Sequence, residues 1–458
     1  MNKIEIATLK QSQKNFFNRG QTLSYEFRIQ KLQLLDRLIR DNETQILEAL
    51  KKDLKKPETE AYVSEIAFLY DELRFTLKNL KKWMAPKKIS TPITQWIAKS
   101  YLYSEPLGVV LIIAPWNYPF QLVISPLIGA IAAGNCVVIK PSEISFHTGQ
   151  LIEELISKNF SKEHIAVVLG GVETSEQLLM QSWDHLFFTG GTEVGRKVMI
   201  AAAKTLTPVT LELGGKSPCL VDDEVDWQVT ANRIVWGKFF NAGQTCVAPD
   251  YLLLPKGKTA KFLPYFEAAI KKFFGENPEK SPDYSRIIND SHYQRLKKYL
   301  NQGKITVGGH FTDSERYLSP TLLTEVKWEM PVMTEEIFGP ILPVIEYDSL
   351  DEAILLIQSR PKPLALYFFS KNNKKTQEVV TRLSFGGGCV NDTLVHLTNP
   401  KIPFGGVGES GMGRYHGEFS FSTFSHQKGI VKRSFLIDLA LRYPPYMGKL
   451  NLIKRVMR

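Results

Sequence analysis

The 458-residue sequence contains little cysteine, and what it has forms no pattern. Cys136, Cys219, Cys246 and Cys389 stand far apart, with no CxxC pair. That spacing excludes a disulfide scaffold and points to free thiols in a reducing, cytoplasmic setting. No Cys/His cluster has zinc-ligand spacing, so no metal is expected. The first ten residues lack the charged-then-apolar pattern of a secretory leader, and none is expected. The longest apolar run, 120–139, approaches a membrane span in length but is interrupted by Pro126, Gly129, Gly134 and Asn135. It reads better as a buried helix followed by a buried strand. Repeats and low-complexity linkers are missing, so the domains are expected to pack firmly against one another. Nothing resembles a DNA- or RNA-binding motif, and no nucleic-acid partner is expected.

What is present is the composition of an ordinary soluble chain, 43% hydrophobic and 23% charged. The length calls for two or three domains. The net charge is +10, and its location matters more than its size. Residues 431–458 hold Lys432, Arg433, Arg442, Lys449, Lys454, Arg455 and Arg458 against Asp438 alone. A basic C-terminal tail therefore supplies most of the imbalance. Phe435, Leu436, Ile437, Leu439, Ala440 and Leu441 lie within it, making an amphipathic segment too short and too charged to cross a membrane. Packing on the body or on a partner subunit is the favoured reading. Peripheral contact with an anionic membrane surface is the competing one.

Periodicity gives the organisation. Up to residue 86, Leu32, Leu35, Leu38, Ile39, Ile46 and Leu50 recur at helical spacing. Residues 91–94, 96–98 and 101–103 look like strands of an exposed, aromatic hairpin that can act as a subunit-contact arm. From Gly108 onward, apolar strands at 109–114, 136–140, 165–169 and 186–189 alternate with helices at 120–133, 147–158, 174–181 and 193–203. That alternation specifies a parallel sheet covered on both faces, Rossmann-like in its crossovers. A second β/α series follows from 210, with helices at 225–241, 260–274, 350–359 and 374–383 and a strand at 364–369. The expected fold is α/β. It comprises a cofactor domain of residues 1–86 and 107–209, a catalytic domain of 210–394, a bridging or oligomerisation element of 87–106 and 395–430, and the tail 431–458.

Four short stretches carry chemistry. Cys246 ends Asn241-Ala242-Gly243-Gln244-Thr245-Cys246, a small-residue turn that can aim a thiol into a cleft. Taken alone, a cysteine is more often a small buried hydrophobe. Glu212 lies between two leucines at the end of an apolar strand. Such a site raises a carboxyl's pKa towards that of a general base, although a strand-end glutamate facing water fits the spacing too. Asn117 follows a strand end, where ligands of open α/β sheets bind, and can donate to an oxyanion or merely make a turn. Phe188-Thr189-Gly190-Gly191-Thr192-Glu193-Val194-Gly195 is a strand, a glycine turn and a helix start that can receive a phosphate. It is not a GxGxxG fingerprint and is weak evidence alone. Lys140 and Glu143, at the neighbouring strand end, can hold a ribose diol, with Glu143 disfavouring a 2′-phosphate.

Together these stretches resemble the aldehyde dehydrogenase family, nearly end to end. The motifs are Pro115-Trp116-Asn117, Lys140-Pro141-Ser142-Glu143, Phe188-Thr189-Gly190-Gly191-Thr192, Leu211-Glu212-Leu213-Gly214-Gly215-Lys216, Gly243-Gln244-Thr245-Cys246 and Glu335-Glu336-Ile337-Phe338-Gly339-Pro340. The closing stretches 395–408 and 412–417 point to the class 3 branch. The resemblance implies Cys246 as nucleophile, Glu212 as general base, and Asn117 with the Cys246 amide as oxyanion hole. It implies NAD as cofactor, with NADP accepted, held by Trp116, Lys140, Glu143, Thr189, Gly190, Gly191, Gly195, Glu336 and Phe338. Tyr118 and the segment around His396 would line the aldehyde channel, and the chain would form a homodimer. Where the family often has serine, this chain has Gly191, which implies looser pyrophosphate binding. The expected substrates are medium- or long-chain aliphatic or aromatic aldehydes. A CoA-acylating dehydrogenase, a non-redox thiol hydrolase and a catalytically dead binding protein are the rival readings. Glu212, the cofactor motifs and the intact Cys246, Glu212 and Asn117 count against them in turn.

Overall fold

The computed structural model describes residues 3–95, 97–438 and 440–457. Two sheets organise it. The first has six strands in the order Gly411–Met412, Val209–Glu212, His185–Thr189, Val109–Ile113, Cys136–Lys140 and Ile165–Val167, and only Gly411–Met412 runs antiparallel to its neighbour. The second has seven, in the order Lys304–Val307, Thr321–Thr324, Ile341–Tyr347, Tyr251–Pro255, Pro218–Val221, Ala365–Phe369 and Gly387–Val390. It too is parallel except at one edge, Lys304–Val307. Both sheets belong to the expected α/β class.

The strand Val109–Ile113 shows why the sequence folds this way. All five residues are buried, as a continuous apolar run requires when helices cover both faces of a sheet. Side chains alternate, so Val110 and Ile112 enter one core while Val109, Leu111 and Ile113 enter another. Each fully buried valine or isoleucine contributes about 1.5–3 kcal/mol. The core that receives Val110 and Ile112 also contains Cys219, Leu220, Leu252 and Leu253 of the second sheet. One continuous apolar interior therefore runs beneath both sheets.

The run 120–139 resolves as read. Helix Gln121–Ala133 is buried along its whole length, Gly134 ends it at φ 93°, and strand Cys136–Lys140 follows. No helix among the described residues is long and apolar enough to cross a membrane.

The ribbon differs from its expected outline. It is a three-stranded antiparallel sheet of Lys87–Ile89, Ala98–Pro106 and Ser425–Arg433. Residues 93–95 form a 3₁₀ turn that takes up the end of the expected strand 91–94. Pro92 lacks the N–H that a ladder needs, which accounts for the break. Trp96 lies outside the described residues. The charged strand Lys87–Ile89 and the outer strand Ser425–Arg433 lack apolar alternation because they are largely exposed. Pairing continues to Arg433, so the basic tail leaves the sheet only after that residue. Leu439, one of the tail's apolar residues, is outside the described residues. Phe435, Leu436 and Met447 are fully exposed, and the amphipathic helix Leu450–Met457 closes the chain.

Candidate active site

Cys246 owes its position to a turn that few sequences can make. Helix Trp227–Phe239 is capped at its start by the Asp226 carboxylate, which accepts from the Val229 amide. After Phe239 the chain takes three successive left-handed residues, Asn241 (φ 53°), Ala242 (φ 51°) and Gly243 (φ 75°). A side chain at Gly243 would collide with the Gly339 carbonyl oxygen, 2.2 Å from where its Cβ would stand. Gln244 then fixes the reversal. Its amide nitrogen donates to the carbonyls of Asn241 and Arg286, and its amide oxygen accepts from the Ile288 N–H, all at 3.0 Å.

The turn sets Cys246 between two cavities. One, of about 240 Å³, is apolar and lined by Val63, Phe68, Leu122, Trp236, Phe240 and Tyr415, among others. The other, of about 230 Å³, is a more polar cleft bounded by Trp116, Asn117, Thr189, Gly190, Gly191, Glu212, Gly214, His292, Arg295, Glu336 and Phe338. Cys246 and Leu122 border both. A thiol so placed can meet a substrate from one side and a cofactor from the other.

The electrostatics at the sulfur are those of a resting site. Burial, followed by the carboxylates of Glu336 and Glu212, pushes the Cys246 thiol up to about 12. Burial likewise holds the Glu212 carboxyl well above its ordinary range. Glu212 ends the strand Val209–Glu212 and is nearly inaccessible, and neither of its carboxyl oxygens has a hydrogen-bond partner. An enclosed, unpartnered carboxyl is costly and needs a water or a substrate proton to satisfy it. Glu336 is pushed up to about 8 by burial and by Asp250, and the Gly215 amide donates to it. Gly214 makes room for this carboxyl, because a Cβ there would lie 2.0 Å from Glu336 Oε2.

Asn117 is held from three directions. Its carbonyl accepts from Lys56 Nζ (3.1 Å) and Asn241 Nδ2 (2.9 Å), and its Nδ2 donates to the Gln244 carbonyl (3.1 Å). One Nδ2 hydrogen remains for a second acceptor. Tyr118 lies in the wall of the apolar cavity, with its hydroxyl 2.6 Å from that of Thr245.

The remaining predicted residues divide. Thr189, Gly190, Gly191, Glu336, Phe338 and Trp116 come together around the cleft. Trp116 and Phe338 meet edge to face at 5.3 Å. Gly190 and Gly191 lead into helix Thr192–Ala203, whose N-cap, Gly191, offers no side-chain cap. A Cβ at Gly191 would meet nothing within 4 Å, so the helix start is an open cradle for a phosphate. Lys140, Glu143 and Gly195 do not border the cleft. Lys140 donates to Glu143 at 2.8 Å and to the Pro141 carbonyl at 2.9 Å. Gly195 is buried within its helix, and a Cβ there would lie 2.5 Å from Leu213 Cδ2, so its use is close packing of helix on strand. His396 sits behind the channel wall, which its neighbours Val395 and Leu397 form, with Nδ1 3.5 Å from the Cys389 sulfur. His292 and Arg295 complete the cleft without having stood out in the sequence. His292 packs on Trp116 at 4.8 Å, and Arg295 donates to the carbonyls of Glu336 and Ile337. A lone histidine and arginine on an amphipathic helix carry no signature that distinguishes them from surface residues.

The sequence profile of the aldehyde dehydrogenase family matches residues 4–430. The chain is 49% identical over 443 residues to the 4,4′-diaponeurosporen-aldehyde dehydrogenase of Staphylococcus aureus, covering 96% of each protein. It is 46% identical over 447 residues to the dimeric NADP-preferring aldehyde dehydrogenase of Mus musculus, covering 97% of this chain and 99% of that one. Among solved structures, the substrate-bound state of Staphylococcus aureus AldH superposes with a TM-score of 0.98 at 48% identity, over the full length of both chains.

Proposed function

The chain belongs to the aldehyde dehydrogenase family, oxidising aldehydes to carboxylic acids with NAD or NADP, and we propose which residues do this and on which aldehydes. Cys246 is the nucleophile, Glu212 the general base, and Asn117 Nδ2 with the Cys246 backbone amide the oxyanion hole. The observation that carries this assignment is the position of Cys246 at the junction of an apolar cavity and a polar cleft.

The nicotinamide cofactor fits the polar cleft. The glycine-lined helix start at Gly190 and Gly191 would receive its phosphates, Trp116 and Phe338 would flank its ring, and Glu336 would accept from a ribose hydroxyl. Lys140 and Glu143 would hold the other ribose once their mutual ion pair opens. When bound, the cofactor accepts the hydride. The protein does the rest. Cys246 loses its proton towards Glu212, and its sulfur attacks the aldehyde carbon to give a thiohemiacetal. Asn117 and the Cys246 amide bear the oxyanion, each such donor being worth about 3 kcal/mol in the transition state. Loss of hydride leaves a thioester on Cys246. Glu212 passes the proton it took from Cys246 to solvent and then takes one from water; the water oxygen attacks the acyl carbon, the C–S bond breaks, Glu212 returns its proton to the Cys246 sulfur, and carboxylic acid leaves. The unpartnered Glu212 oxygens support its role in that hydrolytic step and weigh against CoA as acceptor.

The substrate class follows from the channel. Its wall is almost wholly apolar, and Val63, Trp236 and Val395 extend that character to the surface as partly exposed residues. A long apolar aldehyde would bury its tail there at about 25 cal/mol per Å². The test is a rate panel of short, long aliphatic and aromatic aldehydes with each cofactor. We expect kcat/KM to climb with apolar length; a maximum at the shortest aldehydes would overturn the substrate assignment.

We further propose a homodimer in which the exposed outer strand Ser425–Arg433 and the basic tail meet the partner subunit. One relative is named as dimeric, and the tail's Phe435, Leu436 and Met447 find no cover on their own chain. Comparing the full chain with one ending at Arg433, by light scattering and by co-sedimentation with anionic vesicles, separates a subunit contact from a membrane contact.

A further inference from the structure

The mechanism leaves several enclosed acids unused, Glu60, Glu65 and Glu72 among them. Glu60 sits on the short helix Glu58–Ala61, which runs directly into a rare π-helical turn, Tyr62–Ala67. Glu60 is half-buried beneath the nucleophile turn, and desolvation pushes its carboxyl up to about 7 against the pull of Lys56. Its Oε1 accepts the backbone N–H of Asn241 at 2.8 Å and, more weakly, the Ser285 hydroxyl at 3.4 Å. Lys56 does not occupy it, because that ammonium bonds Glu65 at 2.5 Å and the Asn117 carbonyl at 3.1 Å. Glu65, five residues on, accepts the Phe120 and Gln121 amides at 3.0 Å. The acids are thus divided, Glu65 holding the segment after Asn117 and Glu60 holding the turn before Cys246.

That turn needs holding. Asn241 and Ala242 are non-glycine residues in the left-handed region, a strained arrangement that persists only when its surroundings over-determine it. The Asn241 side chain reaches the carbonyls of Asn117 and Gln244, so the backbone bond to Glu60 completes its fixation. The wide turn also presents Val63 and Ser64 to the apolar channel, so the segment that forms the channel wall also supports the nucleophile. π-Helical turns are commonly found at functional sites.

We propose that Glu60 is a positioning residue for the nucleophile, clamping the left-handed turn that presents Cys246 beside Asn117; this rests on the reading of Cys246 as nucleophile. The full-length enzyme is assayed as Glu60→Ala, Glu60→Gln, Glu60→Ala with Ala242→Gly, and Cys246→Ala. Displacement of a nucleophile by about an ångström costs up to roughly 100-fold in rate. Glu60→Ala should therefore lower kcat by roughly 10- to 100-fold, with KM for aldehyde and cofactor within about threefold, and should change the iodoacetamide rate at the Cys246 peptide. Glu60→Gln keeps an oxygen for the Asn241 N–H and should stay within about threefold of the parent enzyme. Adding Ala242→Gly removes the left-handed penalty and should restore about threefold or more of the lost kcat. A parental kcat in Glu60→Ala, or equal losses in the alanine and glutamine variants, overturns the proposal. If Glu60→Ala does not fold, Glu60→Asp, which keeps the charge and shortens the reach, takes its place: a parental kcat, or a loss equal to that of the glutamine variant, overturns the proposal in the same way. An active Cys246→Ala would instead overturn the nucleophile assignment, so the two failures are distinguishable.

Discussion

The two cavities that meet at Cys246 are built on opposite principles. The cleft is set on backbone features, strand ends, three glycines and a helix start, with Trp116, Phe338 and a few polar side chains closing it. The channel is made of side chains, apolar ones drawn from segments around residues 63, 122, 236, 245, 394 and 404. A backbone site tolerates little change, because most glycines in it mark a place where a Cβ has no room. A side-chain site can be resized one residue at a time. On the proposed assignment, constant cofactor chemistry is paired with an adjustable aldehyde pocket.

Substitutions can break this comparison or sharpen it. The largest effect belongs to the residue the two cavities share. Cys246→Ala should abolish oxidation, with a loss of about 10⁴-fold or more, while cofactor binding by fluorescence titration stays intact. A normal oxidation rate would remove the premise that both cavities serve one sulfur. On the cleft side, Glu212→Gln should lower kcat by roughly 10²–10⁴-fold. Burial raises the Glu212 carboxyl and only its deprotonated form can act as base, so kcat of the parent enzyme should rise with pH above the ordinary carboxylate range. The glutamine variant should flatten that profile. Stability has the opposite sign: a carboxyl raised in the folded state stabilises the fold while protonated, and that contribution is lost as pH climbs through its folded pKa. The melting temperature of Glu212→Gln should therefore fall less than the parent's as pH is raised from the ordinary carboxylate range. On the channel side, Val63→Glu should lower kcat/KM for long apolar aldehydes by about tenfold and leave the shortest ones unchanged, since only a long tail reaches the charge. Equal losses on both would show that the two cavities are not independent. The smallest effect is a gain. Gly191→Ser finds open space and ordinary backbone angles of φ −72° and ψ 151°. It should lower the cofactor KM by about threefold and add a few tenths of a kcal/mol to the helix.

The same contrast explains how much could be read from the chain alone. The cleft was legible because glycines, strand ends and a buried acid leave marks in a string of letters: Gly190-Gly191, Glu212 between its leucines, Asn117 after an apolar strand. The channel was not, because Phe68, Trp236 and Tyr415 look like core residues until folding gathers them around Cys246. Gly195 shows a second use for a motif glycine. Its place in a phosphate-binding motif suggested a ligand contact, while its missing Cβ serves the approach of Leu213. His396 sits one residue from two members of the channel wall and belongs to the layer behind them. At the ribbon, periodicity failed because strands exposed on both faces, such as Lys87–Ile89, carry no alternation to detect.

The interior shared by Val110, Ile112, Leu252 and Leu253 has a kinetic consequence. Two sheets fused through one interior cannot swing apart without exposing it to water. A swing of the two sheets to release reduced cofactor would carry that cost. The 335–338 segment at the cleft is held by polar bonds from Arg295, Lys216, Tyr299 and Asp250, and by Ile337, which is seated in that same interior. Loosening the polar tethers alone, with Ile337 left seated, should speed product release more than it lowers the melting temperature.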